Sequence, residues 1–158
     1  MAGLIHTIVW VNIPCFLTRL RYGAVMHDPF PLRDLTFLLD TLVGLHGLLD
    51  APRFAMHDRE TVQSMFELAH EIAVEHLLPA ASVLDAVEPQ LVDGRVQLDP
   101  IAKQALAPFY EAGFQALMFD EAVGGMQLPY AVAMGLSAIF GAANTPLMAY
   151  PGLTNAAA

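Results

Sequence analysis

Basic residues are scarce in this chain. Seven Lys and Arg stand against 16 Asp and Glu, a formal net charge of −9. A nucleic-acid surface needs a basic patch or stripe, so no nucleic acid is expected as a partner. Cysteine is nearly absent. Cys15 alone cannot build an internal disulfide framework, which fits a reducing compartment, and the expected location is cytoplasmic. As a small apolar side chain it needs no further role. The amino-terminal apolar run, residues 4–18 (LIHTIVWVNIPCFLT), falls short of the roughly 20 residues of a standard transmembrane helix. Pro14, Asn12 and His6 weaken it further. Its charges, Arg19 and Arg21, follow the run instead of preceding it, and no small-residue cleavage site is clear, so it does not read as a signal peptide. A membrane partner is disfavoured.

A complete metal-ligand set is also lacking. Glu67-Leu-Ala-His70 has the Glu-x-x-His spacing of di-iron bundles, but such a site needs a second copy on a facing helix and the sequence has none. A zinc-protease His-Glu-x-x-His motif starting at His70 would need His at position 74, which is Val74. Glu67, Glu71 and Glu75 recur at i, i+4 and mark a solvated face beside His70 and His76. No metal is expected.

What the chain has in excess is apolar surface. Hydrophobic residues make up 56% and mean hydropathy is +0.49, above the roughly 45–50% of soluble domains. The length suits one domain. The surplus therefore implies faces hidden against other domains or subunits, or a membrane. The residues divide into an apolar extension of uncertain structure, 1–29, and a helical domain, 30–158.

Helical spacing organises that domain. Leu35, Leu38, Leu39, Leu42, Leu45 and Leu49 predict a helix over 30–49, with Asp34 as its cap or in its first turn, broken by Ala51-Pro52. Asp58 is expected to cap the next helix, with Glu60 near its positive end and Val62, Met65, Phe66, Ala69, Ile72, Ala73 and Leu77 on its apolar face as far as Pro79. Residues 79–99 read as a connection in which Asp93-Gly94 can close a small hairpin. Asp99-Pro100 starts another helix, with a stripe of Ile101, Ala105, Phe109 and Ala112 and a stop at Gly113. Pro108 should kink it, at about 3 kcal/mol if unrelieved. The last helix, about 129–144, is apolar nearly all round and is expected to be buried on most sides, against missing domains or other subunits. The fold class is all-α, with a short hairpin or loop near 85–98.

Residues 119–155 carry the most specific order of features: Asp120 and Glu121, the Gly124–Gly125 pair, Leu128-Pro129, the apolar helix to Asn144, then Tyr150-Pro151. A G-G-x-G-L-P turn, a helix ending in A-A-N and a Y-P-x-L-T segment resemble the amino-terminal domain of flavin-dependent acyl-CoA dehydrogenases. The likeness spans roughly residues 30–155. It points to the branch whose chains begin P-L-R-D-x-x-F-x-L, here Pro31, Leu32, Arg33, Asp34, Phe37 and Leu39. Pro79, Asp85, Asp93, Gly94 and Pro100 also fall at the family's intervals.

The resemblance implies a three-part enzyme: helical amino-terminal domain, β-barrel, four-helix carboxy-terminal domain. It implies α,β-desaturation of an acyl-CoA thioester, with FAD bound mainly between the barrel and the last domain. A glutamate of the last domain takes the α-proton, and hydride passes to flavin. The chain ends where the barrel would begin, so no catalytic glutamate and no main flavin-binding part is expected in it. It is expected to be inactive alone and to bind no FAD by itself. Its implied contribution is a substrate-pocket wall near Gly124 and Gly125, although a purely structural turn would use the same glycines. The sequence departs from the pattern at Leu84 (usually Gly), Pro108, Gln127 (the turn's third glycine) and Ala138 (commonly Glu). A divergent member and a truncated reading frame both fit these departures. The rival classes are a non-enzymatic helical interaction module and a helical protein attached to a membrane through residues 4–18.

Overall fold

The computed structural model describes residues 31–157. The expectations placed on residues 1–30, Cys15 and the 4–18 run among them, lie outside the described residues. The described chain is an all-α bundle with one short hairpin, in agreement with the fold class read from the sequence.

Helix α1, Leu32–Leu38, widens into a π turn at Leu39–Val43, and α2 follows at Leu45–Leu49. The single helix expected over 30–49 is thus broken. Gly44 takes φ +70° and its N–H bonds Leu39 O, five residues back, which ends the first helix before the leucine stripe is complete. Leu35, Leu39, Leu45 and Leu49 are buried, whereas Leu38 and Leu42 are exposed. Asp34 lies in the first turn, and Pro31 occupies the cap position.

Asp58 caps α3, Arg59–Ile72, by accepting from the Thr61 N–H at 2.7 Å. Val62, Phe66, Ala69, Ile72, Ala73 and Leu77 are buried, and Met65 packs against them. The helix does not stop at Pro79. A π turn at Ala73–Leu77 leads directly into α4, Leu78–Ala86. The physical reason is that Pro79 lies at the start of the resumed helix, where a missing N–H costs little. The Leu78 N–H is meanwhile satisfied by Ala73 O, five residues back. The connection expected at 79–99 therefore shrinks to 87–99. Within it β1, Gln90–Val92, pairs antiparallel with β2, Arg95–Gln97, placing Leu91 opposite Val96. Asp93 and Gly94 both take positive φ, 51° and 74°, as a tight two-residue turn requires. All six strand residues are exposed.

Helix α5, Pro100–Glu111, is capped by Asp99 and runs unbroken through Pro108. Gln104, whose carbonyl loses its partner, is on the exposed side where water can serve it. Phe109, Phe114 and Phe140 form an edge-on cluster, with Phe140 5.0 Å from each of the other two rings. Such pairs add about 0.5–1.5 kcal/mol each beyond burial. They bind α5 and the 3-10 turn Phe114–Ala116 to the last helix.

That last helix, α6, spans Tyr130–Ala157 and does not end at Asn144. It bends there and resumes. Asn144 is 4% exposed; its Oδ1 accepts from the Leu147 N–H at 3.1 Å and its Nδ2–H donates to Leu77 O at 3.1 Å. Pro146 falls in the first turn after the bend, so it tolerates the restart. Val132, Ala133, Leu136, Ile139 and Phe140 are fully buried, and α6 packs on α3, on the π turn and on α4. Its opposite face is open among the described residues: Tyr130 is 69% and Met134 37% exposed. Within the described residues α6 is buried on one side, and the packing expected against missing domains or other subunits concerns the other. α6 is the one helix among the described residues long and apolar enough to cross a membrane, yet half of that stretch lies in the core.

Two outcomes test these devices. Asn144→Ala strips partners from Leu77 O and the Leu147 N–H and should destabilise by about 1–3 kcal/mol in urea unfolding; a loss below about 0.5 kcal/mol would show that the bend holds without the amide. The N–H of Thr61 on its carboxylate holds Asp58 below its ordinary pKa of 3.8. A depressed carboxylate stabilises the fold above that value and loses the contribution as pH falls through its folded pKa. Asp58→Asn keeps an acceptor that does not titrate, so its unfolding midpoint should fall less steeply than wild type below about pH 4.

Candidate functional site

The glycine pair lies in a loop woven against the segment that follows α5. A 3-10 turn, Glu121–Val123, brings the chain to Gly124, whose φ of +81° only glycine adopts at little cost. Its N–H bonds Glu121 O at 2.9 Å, and the Gly125 N–H bonds Asp120 O at 3.0 Å. The stretch 126–128 then lies on 116–119. Met126 N–H bonds Ala116 O, Gln127 N–H bonds Phe119 O, and Leu128 N–H bonds Leu117 O, all at 2.9 Å.

The two glycines do different work. Gly124 is exposed, and a Cβ there would meet nothing within 4 Å. A Cβ on Gly125 would sit 2.1 Å from Phe119 O and 2.6 Å from Phe119 Cβ, so backbone lies where a side chain would go. The other surroundings of Phe119 include a cavity of about 70 Å³ shared with Leu117, Met118, Ala133, Met134, Ser137 and Asn155. Its walls are mostly apolar. Gln115 also borders it, and Gln115 Oε1 is buried with no hydrogen-bond partner among the described residues. Phe119 thus touches both the glycine loop and the cavity.

Position 127 explains a departure noted in the sequence. Gln127 has φ +50°, the left-handed region that a third glycine would enter freely and that costs other residues about 1–2 kcal/mol. Its side chain offsets this strain: Nε2–H donates to Arg53 O at 2.6 Å and Oε1 accepts from the Glu121 N–H at 3.4 Å. Arg53 and Asp120 form an ion pair across the same gap, and His57 Nε2 lies 2.7 Å from Met126 O. Sequence reasoning missed His57 and Arg53. The signal for Gln127 was legible, since a non-glycine at a glycine position of a tight turn needs a reason.

The acidic cluster on α3 does not join this site. Glu67, Glu71, Glu75 and His76 are exposed, and His70 is half-buried on the same rod. Among the described residues no three His, Cys, Asp or Glu side chains converge as metal ligands.

An all-α bundle carrying this glycine turn is the arrangement expected of an acyl-CoA dehydrogenase-like family, and comparison with known proteins supports that coarse assignment. The chain is similar to 3-methylmercaptopropionyl-CoA dehydrogenase of Ruegeria pomeroyi, 26% identical over 127 residues, 80% of this chain. It spans only 22% of that relative's length. No family model matches the chain.

The loop geometry predicts unequal glycines. Gly125→Ala should destabilise by about 1–3 kcal/mol through overpacking on Phe119, and Gly124→Ala by about 1 kcal/mol through left-handed strain alone. Only the first should change the near-ultraviolet signal of the aromatic residues around Phe119. Equal costs with unchanged spectra would refute the close packing.

Proposed function

We propose that this chain is the helical amino-terminal part of a flavin-dependent acyl-CoA dehydrogenase-like oxidoreductase, of the branch opening with the Pro31–Asp34 segment, and that it supplies one wall of the pocket for an acyl-CoA thioester. The observation that carries this reading is Phe119. It bears the Gly124–Gly125 loop and lines a mostly apolar cavity with Met134 and Leu117. Similarity over most of this chain to a protein named as a CoA-thioester dehydrogenase supports the same reading. The reaction class is α,β-desaturation of the acyl group.

The cavity beside the glycine loop does not itself fit FAD. The cavity of about 70 Å³ is far smaller than the roughly 300–1,000 Å³ of an ordinary cofactor pocket. On this reading the flavin and the proton-abstracting carboxylate belong to the barrel and carboxy-terminal domains of a longer protein. The open face of α6, with Tyr130 and Met134, is the surface against which those domains or another subunit pack. Residues 1–29 form an extension ahead of the 30–158 domain, and the assembled enzyme works in the cytoplasm.

The test is isolation of the protein at its native mass from the cells that make it. A polypeptide several times heavier than 17.1 kDa, carrying a yellow flavin that bleaches on addition of acyl-CoA, is the expected result. A 17.1 kDa protein without flavin would overturn the enzymatic reading and leave the open α6 face as the contact surface of a non-enzymatic helical module.

A further inference from the structure

Three polar links join the turn at 53–57 to the loop at 120–127, and they are not equivalent. The Arg53 and Asp120 side chains are each 56% exposed, so water and salt screen their attraction. Gln127 reaches Arg53 O from a half-buried position and chiefly relieves its own backbone. His57 is different. It is 8% exposed, and its Nε2 lies 2.7 Å from the carbonyl oxygen of Met126, the residue after Gly125. A carbonyl oxygen only accepts, so Nε2 carries the hydrogen and donates it. The bond is part-buried and spans 69 residues of sequence.

His57 is itself held firmly. Its N–H bonds Phe54 O at 2.9 Å, and the next residue, Asp58, is the cap of α3. A rigid helix start is thereby connected, through one imidazole, to the middle of the glycine loop.

We propose that His57 is the positioning residue of this loop: its hydrogen bond to the Met126 carbonyl, added to the backbone bonds of residues 125–128, keeps residues 124–128 a fixed wall and not a lid that closes on the ligand. For substrate this deepens, and rests on, the reading of the loop as a pocket wall: a fixed wall selects acyl groups by shape. The tie itself is tested on the chain alone. The amides of Gly125, Met126, Gln127 and Leu128 are all hydrogen-bonded, so each reports local opening through hydrogen exchange.

In His57→Phe those four amides should exchange about tenfold faster, while core amides of α3 and α6 keep wild-type rates. His57→Gln, which can present an N–H at similar reach, should recover most of the protection. Wild-type exchange at the loop in His57→Phe would overturn the proposal. So would acceleration shared equally by α3 and α6, because His57 would then be stabilising the whole fold. If the native protein carries no flavin, the pocket reading fails while the exchange result stands unaltered, so the two failures are distinguishable.

Discussion

The side chain of Asn144 satisfies two helices at once. One end closes the restart of α6 at Leu147, and the other reaches Leu77 O, where α3 passes through its π turn into α4. An unpaired amide at 4% exposure would be costly, so the two bonds together favour this placement of both helices. The bend that results brings Asn155, beyond it, to the same cavity as Ala133, Met134 and Ser137, ahead of it. A straight α6 would carry Asn155 along the original axis and away from those residues. The cavity beside the glycine loop is therefore a product of a polar contact near the opposite rod. Changes at Leu77, Asn144 or Leu147 would be felt at a wall they do not touch.

Much of the fold was legible because its signals are local. Asp58 and Asp99 announced two helix starts, Asp93-Gly94 announced the hairpin, and the stripe from Val62 to Leu77 announced its buried face. The failures lie at helix ends: α3 was stopped at Pro79, and α6 was stopped at Asn144, ahead of two further prolines. Pro79, Pro146 and Pro151 all lie within continuing helix. A proline breaks a helix only where its missing N–H and its ring meet an intact preceding turn. A π turn before Pro79 and a capped bend before Pro146 remove that condition, and neither device leaves a periodic mark in the sequence. The break at Gly44 escaped for the opposite reason, since the leucine spacing continued across it.

Of the candidate site, the Gly124–Gly125 pair and the odd residue at 127 could be read directly. The partners that fix them could not. His57 and Arg53 stand about seventy positions away, in a turn whose sequence signals only that it precedes a helix cap. Long-range hydrogen bonds to backbone carbonyls have no sequence signature, because every residue offers the same acceptor. The open side of α6 is the part of the apolar surplus that the described residues do not cover. An apolar pattern states what a face prefers, and here the described chain provides a neighbour for only one side.

The hairpin between α4 and α5 bears on how such a bundle varies. Its strands pair with each other, and every residue from Asp85 to Gln97 is exposed. Thirteen consecutive positions are thus spared from core packing. Lengthening or trimming this excursion would change only the entropy of closing a loop, about 0.6 kcal/mol for each doubling of length. The two helices it joins are held by the core whatever runs between them. The connection from α4 to α5 is accordingly where descendants of this fold can gain or lose sequence freely, and where a graft or label can be carried without disturbing the bundle.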